Sequence, residues 1–504
     1  MKKIKIIFAA MLCLSLAAAF IACDTKEDTK PTAATHTDVP GDVVEEDLSP
    51  PAVNMGGKKF TFLTTGWGSG TLSPDIVPLE EELGDDADPI LQLAQNRRTA
   101  IESKFNVTLA VHNVESASEV VKTYQDAFYA GISDYDIAIT TCSNFSNLLS
   151  GKFMIDLEEI PTLDMDKPYW NKNFYDAMAI LGRHFATDGD VSKRSLECVW
   201  IMAFNKSIIA NKGLESPFDL VKDGKWTFDK MHEMGKIVGT DMNADGKMTL
   251  EDDLWGINYT GDSIMGIVNG SGVKLAELDS EGKPFITAGS EVNIAKLTKI
   301  YDKMRDHVYS IDTLFPTGGG VSGIADVQIF MDGRALFVAA ATHNITGHDG
   351  YNLRSAEIDF GIIPYPKWDI NDKNYLPHTA GNFHPVLSIP ATNQDLENTG
   401  IILEAMAYEG MKTIRPEFYD SLLKRKTLNA TDTESGDMID YIFGNLYYDI
   451  GNMFNFGTDN TKIVGIFGAT MSRDTKLGIA SQIDRNSGPW NRSIASIIAQ
   501  VKSY

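Results

Sequence analysis

Basic residues are in short supply. Against 69 aspartates and glutamates stand 45 lysines and arginines, a formal charge of −24. A phosphate backbone is held by a basic surface, so this balance argues against nucleic acid as a partner and against the body of the protein lying on anionic lipid. Cysteine is scarce too, four in 504 residues. Cys13 and Cys23 fall in the extreme N-terminal stretch, which leaves Cys142 and Cys198. These two could pair in an exported protein, although scattered cysteines are more commonly buried thiols and a chain of this length does not need a disulfide for stability. Catalytic signatures are missing: there is no His-Glu-x-x-His zinc helix, no Gly-x-Ser-x-Gly elbow and no Gly-x4-Gly-Lys-Ser/Thr phosphate loop. The nine histidines are dispersed, and His343 and His348 stand five apart in a glycine-containing loop, which is not a metal spacing.

What is present begins at the N-terminus. Lys2, Lys3 and Lys5 precede an apolar run from Ile6 to Ala22 that stops at Cys23. A basic start, a short apolar core and small residues mark a secretion signal, and a run of about 17 residues sits at the lower edge of spanning length. Phe20-Ile21-Ala22-Cys23 resembles the bacterial lipobox, whose cysteine is acylated on sulfur and becomes the new N-terminus; Phe20 stands where Leu is usual. Residues 1–22 are therefore expected to be a lipoprotein signal peptide and Cys23 the lipidation site. Anchoring on the outer face of the cell membrane would follow, since each buried CH2 contributes about 0.8 kcal/mol and two or more chains hold stably. Removing residues 1–22, which carry three lysines and no acid, takes the formal charge from −24 to −27. Between Asp24 and Pro50 come eight acids and two lysines with no periodic apolar residues, so 23–56 reads as a disordered acidic tether.

A chain of 504 residues is too long for one ordinary core, so two or more lobes are expected. Order begins at the alternating run 59–65. A helix over 89–104, a strand over 106–111, a helix over 118–130 and a buried strand over 134–141 follow. Strand and helix in alternation make βαβ units on a parallel sheet, an α/β fold. Ligands bind beyond the carboxyl ends of such strands, which places Gly66-Trp67 and Thr140-Thr141-Cys142-Ser143-Asn144 at a cleft. Beyond residue 205 the pattern turns mostly helical, with helices near 226–238, 290–306, 396–412 and 416–426, and short strands such as 334–340 and 358–363.

One metal signal has the right spacing. Asp241, Asn243 and Asp245 supply oxygens at positions 1, 3 and 5 of a twelve-residue calcium loop, and Gly246 supplies the sharp turn at position 6. Lys247 would ligate through its carbonyl, Thr249 directly or through water, and Asp252 replaces the usual longer Glu at position 12, weakening affinity. The expected role of Ca2+ is structural; an Asx-rich turn with no ion is the alternative. Among the tryptophans, Trp67, Trp170 and Trp200 are cleft candidates whose flat faces could pack on pyranose CH groups, whereas Trp226, Trp255 and Trp368 are assigned to the core.

The order of several segments resembles the family 1 extracellular solute-binding proteins, lipid-anchored receptors of bacterial ABC importers. They are Asp134-Tyr135-Asp136-Ile137-Ala138, Gly151-Lys152-Phe153-Met154-Ile155-Asp156-Leu157, Trp200-Ile201-Met202-Ala203-Phe204-Asn205-Lys206, Lys225-Trp226-Thr227-Phe228-Asp229, the calcium-like loop ending in Leu254-Trp255-Gly256, Phe330-Met331-Asp332-Gly333-Arg334-Ala335-Leu336-Phe337 and 359–367. The resemblance covers nearly all of 57–504. It implies a two-lobe periplasmic-binding-protein fold of type II with discontinuous lobes joined by a hinge. Lobe one would comprise 57–197 plus 374–412 and lobe two 198–373 plus 413–504, closing on a ligand by hinge bending. By position, Trp67, Thr141, Ser143, Asn144, Trp170, Asp188 and Asn382 of lobe one would face Trp200, Asn269 and His343 of lobe two. The implied function is capture of a carbohydrate, an oligosaccharide, for an ABC permease, by a monomer that touches the membrane through its lipid anchor alone and performs no covalent chemistry. The rivals are a surface glycan-active lipoprotein, a hydrolase or lyase needing two converging carboxylates, and an adhesion or sensor lipoprotein with no permease.

Overall fold

The chain forms the strands β1 (Lys58–Trp67), β2 (Gly70–Thr71), β3 (Val107–Val114), β4 (Ile137–Thr141), β5 (Trp200–Asn205), β6 (Trp255–Tyr259), β7 (Ala276–Leu278), β8 (Pro284–Ile286), β9 (Ser310–Asp312), β10 (Ala335–Ala341), β11 (Phe360–Ile363) and β12 (Pro385–Ser388). The computed structural model describes residues 48–67, 70–71, 75–78, 83–84, 88–149, 151–260, 262–305, 310–312, 327–346, 353–381, 383–423, 433–458, 461–471 and 477–504. Two five-stranded sheets organise ten of them, one for each lobe, and β7 and β8 pair antiparallel as a separate two-stranded sheet.

In lobe one, β1 pairs parallel with β3 and β4 and antiparallel with β2, while β12 returns late in the chain to pair antiparallel with β4. The crossover helices have strong local signals. Asp88 caps helix Pro89–Phe105 by accepting from the Ile90 N–H at 3.0 Å, with Pro89 at the first position. Ser116 caps helix Ala117–Ala130, and Gly131, at φ 65, ends it in the left-handed region that costs glycine nothing. In lobe two the strand order is β11-β5-β10-β6-β9, with β5 antiparallel to β10 and β11, and β6 parallel to β10 and β9. Every residue of β5, β6, β10 and β11 is buried, as expected of strands covered on both faces.

Three apolar layers follow. Phe60, Phe62 and Leu109 pack against Ile402 and Met406 of helix Leu396–Lys412 on one face of the first sheet. Ile201, Val338 and Ile362 pack against Phe418 and Ile439 on one face of the second. The remaining faces share one continuous layer, running from Leu63, Tyr124 and Phe145 through Phe454 and Trp490 to Trp226, Ile257 and Phe337.

Four sequence expectations are revised or settled here. Strand β4 starts at Ile137 and not at Asp134, because the Asp136 carboxylate turns to accept the Thr61 N–H at 2.9 Å. Residues 48–56, assigned to the tether, lie against lobe one: the Met55 N–H donates to the Phe105 carbonyl at 2.8 Å, and Leu48 and Met55 join the first core layer. Cys142 and Cys198 are free thiols, both buried, and burial pushes Cys198 up to about 12. Trp226 and Trp255 are fully buried and Trp368 partly so, stacked at 6.2 Å on Phe228. Residues 1–47, which include Cys23, lie outside the described residues. Among the described residues no helix is long and apolar enough to cross a membrane.

Candidate functional site

The chain crosses between the sheets twice, and the two crossings pair. Val199 bridges antiparallel to Thr379, the Trp200 N–H donates to the His378 carbonyl at 3.0 Å, and the Ala380 N–H donates to the Cys198 carbonyl at 2.9 Å. Immediately beyond, Phe383 and His384 lead into β12. The His384 carbonyl accepts from the Cys142 N–H at 3.0 Å, which joins this segment to the carboxyl end of β4.

Phe383 is where strand ends of both lobes meet. Its ring centroid lies 5.9 Å from Trp200, at the start of β5, and 5.4 Å from His343, just past the end of β10, both edge-on. The Arg194 guanidinium stands 5.7 Å from the same ring, with its charge engaged by Glu197 at 3.1 Å. On the lobe-one side, Thr141 ends β4. Its hydroxyl lies 3.1 Å from that of Ser143 and accepts from the Asn144 amide at 3.0 Å. His343 and Asn144 are half-buried; Thr141, Ser143, Trp200 and Phe383 are buried. Among the described residues the indole N–H of Trp200 has no hydrogen-bond partner.

Asp188 enters through His384. Its carboxylate accepts from Nε2 of His384 at 3.1 Å, from the Asn171 amide at 3.3 Å and from the Gly189 N–H at 2.8 Å. Nδ1 of His384 lies 2.8 Å from the Thr379 hydroxyl. A hydroxyl, a histidine and an aspartate in line look like a nucleophilic triad, but the Thr379 hydroxyl donates to the Cys198 carbonyl at 2.9 Å and the three side chains are almost wholly buried. The arrangement braces the crossing strands.

The sequence-derived residues thus divide. Thr141, Ser143 and Asn144 form one cluster, Trp200 and His343 meet at Phe383, and Asp188 is tied in through His384. Trp170 is a correction. It is buried among Tyr169, Leu403 and Met406, and its indole N–H donates to Glu404 at 2.8 Å, so both its face and its donor are used inside lobe one. Asn269 is fully buried on helix Ile264–Gly270 of lobe two, and neither polar atom of its amide has a hydrogen-bond partner among the described residues. Trp67 ends β1 and pairs with Gly70, its side chain lying outside the described residues, as do Asn382 and His348. Sequence reasoning missed Phe383, His384 and Arg194. The first two follow Asn382 directly in the chain.

A cavity of about 580 Å3 lies elsewhere, at the amino end of the first sheet, lined by Lys59, Thr61, His112, Asp134 and Tyr135 among others. The calcium-like loop is organised before any ion. The Gly246 N–H donates to Asp241 Oδ2 at 2.7 Å, the Asp245 N–H to Asn243 Oδ1 at 2.9 Å and the Lys247 N–H to Asp245 Oδ1 at 2.8 Å. Asp252 accepts from Asn243 at 2.7 Å and from the Thr249 hydroxyl, contacts that hold its carboxyl below the usual range. Asp241 Oδ1 is buried with no partner among the described residues, as an ion-facing oxygen would be. Among the described residues no three His, Cys, Asp or Glu side chains converge as a metal cluster, so amide, hydroxyl and carbonyl oxygens would have to complete the set.

Solved structures share this architecture. An ABC substrate-binding protein from Listeria monocytogenes, in complex with cycloalternan, aligns over 87% of this chain and 99% of its own at a TM-score of 0.54 and 12% identity. A sugar transporter protein from Rhizobium etli in an open conformation aligns over 88% and 99%, TM-score 0.53, 13% identity. A solute-binding protein from Thermotoga lettingae, bound with alpha-D-tagatose, aligns over 87% and 100%, TM-score 0.52, 12% identity. This is the two-lobe solute-binding fold. At such identities the likeness is one of fold, and no family model and no curated protein matches the sequence.

Proposed function

We propose that the chain is an extracellular solute-binding protein that captures a carbohydrate, an oligosaccharide, and delivers it to an ABC permease. The observation that carries this reading is a pair of groups at strand ends of the two lobes: Trp200, edge-on to Phe383 and with no hydrogen-bond partner for its buried indole N–H among the described residues, and the hydroxyl and amide cluster of Thr141, Ser143 and Asn144, joined to the Phe383 segment by the bond from the Cys142 N–H to the His384 carbonyl. A buried unpaired donor costs about 1–3 kcal/mol, an incentive for a solute hydroxyl to fill the role. Aromatic faces beside hydroxyls and amides suit a sugar, which presents CH patches and OH groups together. Two proteins of the same fold carry cycloalternan and alpha-D-tagatose, which supports a sugar as the class of solute.

The remaining parts of the reading attach to this centre. Lobe one would comprise 57–197 plus 374–412, extended by 48–56, and lobe two 198–373 plus 413–504. Cys23 would carry the lipid and residues 24–47 the tether, keeping the receptor near its permease at high local concentration. Asp241, Asn243, Asp245, Lys247, Thr249 and Asp252 would hold a structural Ca2+, which would cross-link the loop leading into β6. A thermal-shift screen of mono- and oligosaccharides tests the function. A ligand at 100 times its Kd stabilises by about 2.7 kcal/mol. Stabilisation by a sugar, lost in Trp200→Ala, is expected; cleavage of a glycan by the protein, or no response across the screen, would overturn the reading.

A further inference from the structure

Besides the crossing strands, the shared apolar layer and pairs such as Arg415 with Asp190, one further set of contacts joins the lobes through two turns and the C-terminal tyrosine. In lobe one, Ile180 bridges Arg183 around a tight turn with Leu181 at φ 54 and Gly182 at φ 72. Both central residues are left-handed, the primed hairpin geometry that asparagine and glycine favour. A leucine there is strained and persists only where its surroundings hold it. What holds it is lobe two: the Leu181 N–H donates to the carbonyl of Gly282, in the turn between β7 and β8, at 2.9 Å. The two turns meet backbone to backbone. A Cβ on Gly282 would come within 3.1 Å of the Leu181 nitrogen and 3.2 Å of its Cα.

Tyr504 makes the neighbouring contact. It follows helix Ile479–Val501, which packs on β8 and on helix Glu291–Met304. Lys299 and Lys303 of that second helix clamp Asp229 at 2.7 and 2.9 Å, on a helix that packs against β6 and β10 of the second sheet, so Tyr504 projects from lobe two. Its hydroxyl donates to the Gly151 carbonyl at 2.8 Å and accepts from the Met154 N–H at 3.3 Å, and its ring packs on Phe185 at 4.4 Å. Those partners belong to lobe one, where Met154 bridges Pro390 just past β12.

We propose that the turn 180–183, the turn 279–283 and Tyr504 form an interlobe clasp, held as a unit, that maintains the lobe arrangement seen here and must release for the lobes to move. The clasp rests on the two-lobe fold and not on the nature of the solute, so it is tested without one. Hydrogen exchange at the Leu181 and Met154 amides reads it directly, because both are clasp donors. In the exported chain, Tyr504→Ala is expected to speed exchange at Met154, which loses its acceptor, and at least tenfold at Leu181, whose N–H donates to Gly282 and not to Tyr504. Spin labels on Lys122→Cys and Val292→Cys, exposed positions on the two lobes, should report a broadened distance distribution in the same variant. Tyr504→Phe, which keeps the ring and fold, should move both readouts in the same direction by less. Faster exchange confined to Met154, with Leu181 and the label distance unchanged in both variants, would show only local packing and overturn the clasp.

Discussion

Asp449 offers the sharpest test of how burial sets stability within lobe two. It is fully buried at the start of helix Ile450–Phe454, where its carboxylate accepts from the Asn452 N–H at 2.7 Å and from the Leu275 N–H, just before β7, at 2.8 Å. Burial outweighs these bonds and raises its pKa from 3.8 to about 7. The folded state then binds the proton more tightly than the unfolded chain. Its contribution is therefore complete below pH 3.8 and declines as pH rises towards 7, because the ionised carboxylate must be kept out of water. At 1.36 kcal/mol per pH unit the rise corresponds to about 4 kcal/mol across that window. In Asp449→Asn the neutral side chain keeps the helix-capping acceptor and loses the titration. Denaturant unfolding of both proteins from pH 4 to 8 should show the wild type more stable at the acid end, with the difference shrinking or reversing by pH 8. A wild-type-minus-variant difference that does not change with pH would refute the reasoning.

Other outcomes follow from specific contacts. Arg415 pairs with the buried Asp190, whose carboxyl burial lifts to about 6; Arg415→Met should cost about 3–5 kcal/mol in unfolding free energy by leaving a buried carboxylate without its partner. Trp170→Phe should lose the bond to Glu404 and about 1–3 kcal/mol of stability while leaving sugar affinity unchanged, since Trp170 is a core residue; a loss of affinity at unchanged stability would return it to the cleft. Millimolar Ca2+ should raise the melting temperature of the wild type and not of Asp241→Ala, read by calorimetry with and without chelator; equal response of both proteins would leave the loop an ion-free turn.

The first half of lobe one was legible because its signals are local and repeated. The alternating run 59–65 lies within β1, and the helices expected over 89–104 and 118–130 are found at Pro89–Phe105 and Ala117–Ala130. β12 and β6 were not legible: Pro385–Ser388 is four residues long, and its strand character comes from pairing with β4, more than 240 residues earlier in the chain. The candidate site shows the same limit. Strand-end position led to Thr141, Ser143, Asn144 and Trp200, but Phe383 declares itself only when Trp200, His343 and Arg194 surround it. Trp170 misled because a Tyr-Trp pair after proline looks the same whether its indole N–H meets a sugar or Glu404. Nothing local in the sequence announces that a glutamate on a helix 234 residues away will take it.

The central claim is that both lobes grip one sugar at Phe383, and titration calorimetry on the wild type, Trp200→Ala and Asn144→Ala tests it most directly. The account predicts one site per chain for a carbohydrate from a broad panel, with affinity at least tenfold weaker in each variant and no turnover of the ligand. Binding that survives both substitutions unchanged, or a ligand recovered cleaved, would contradict it.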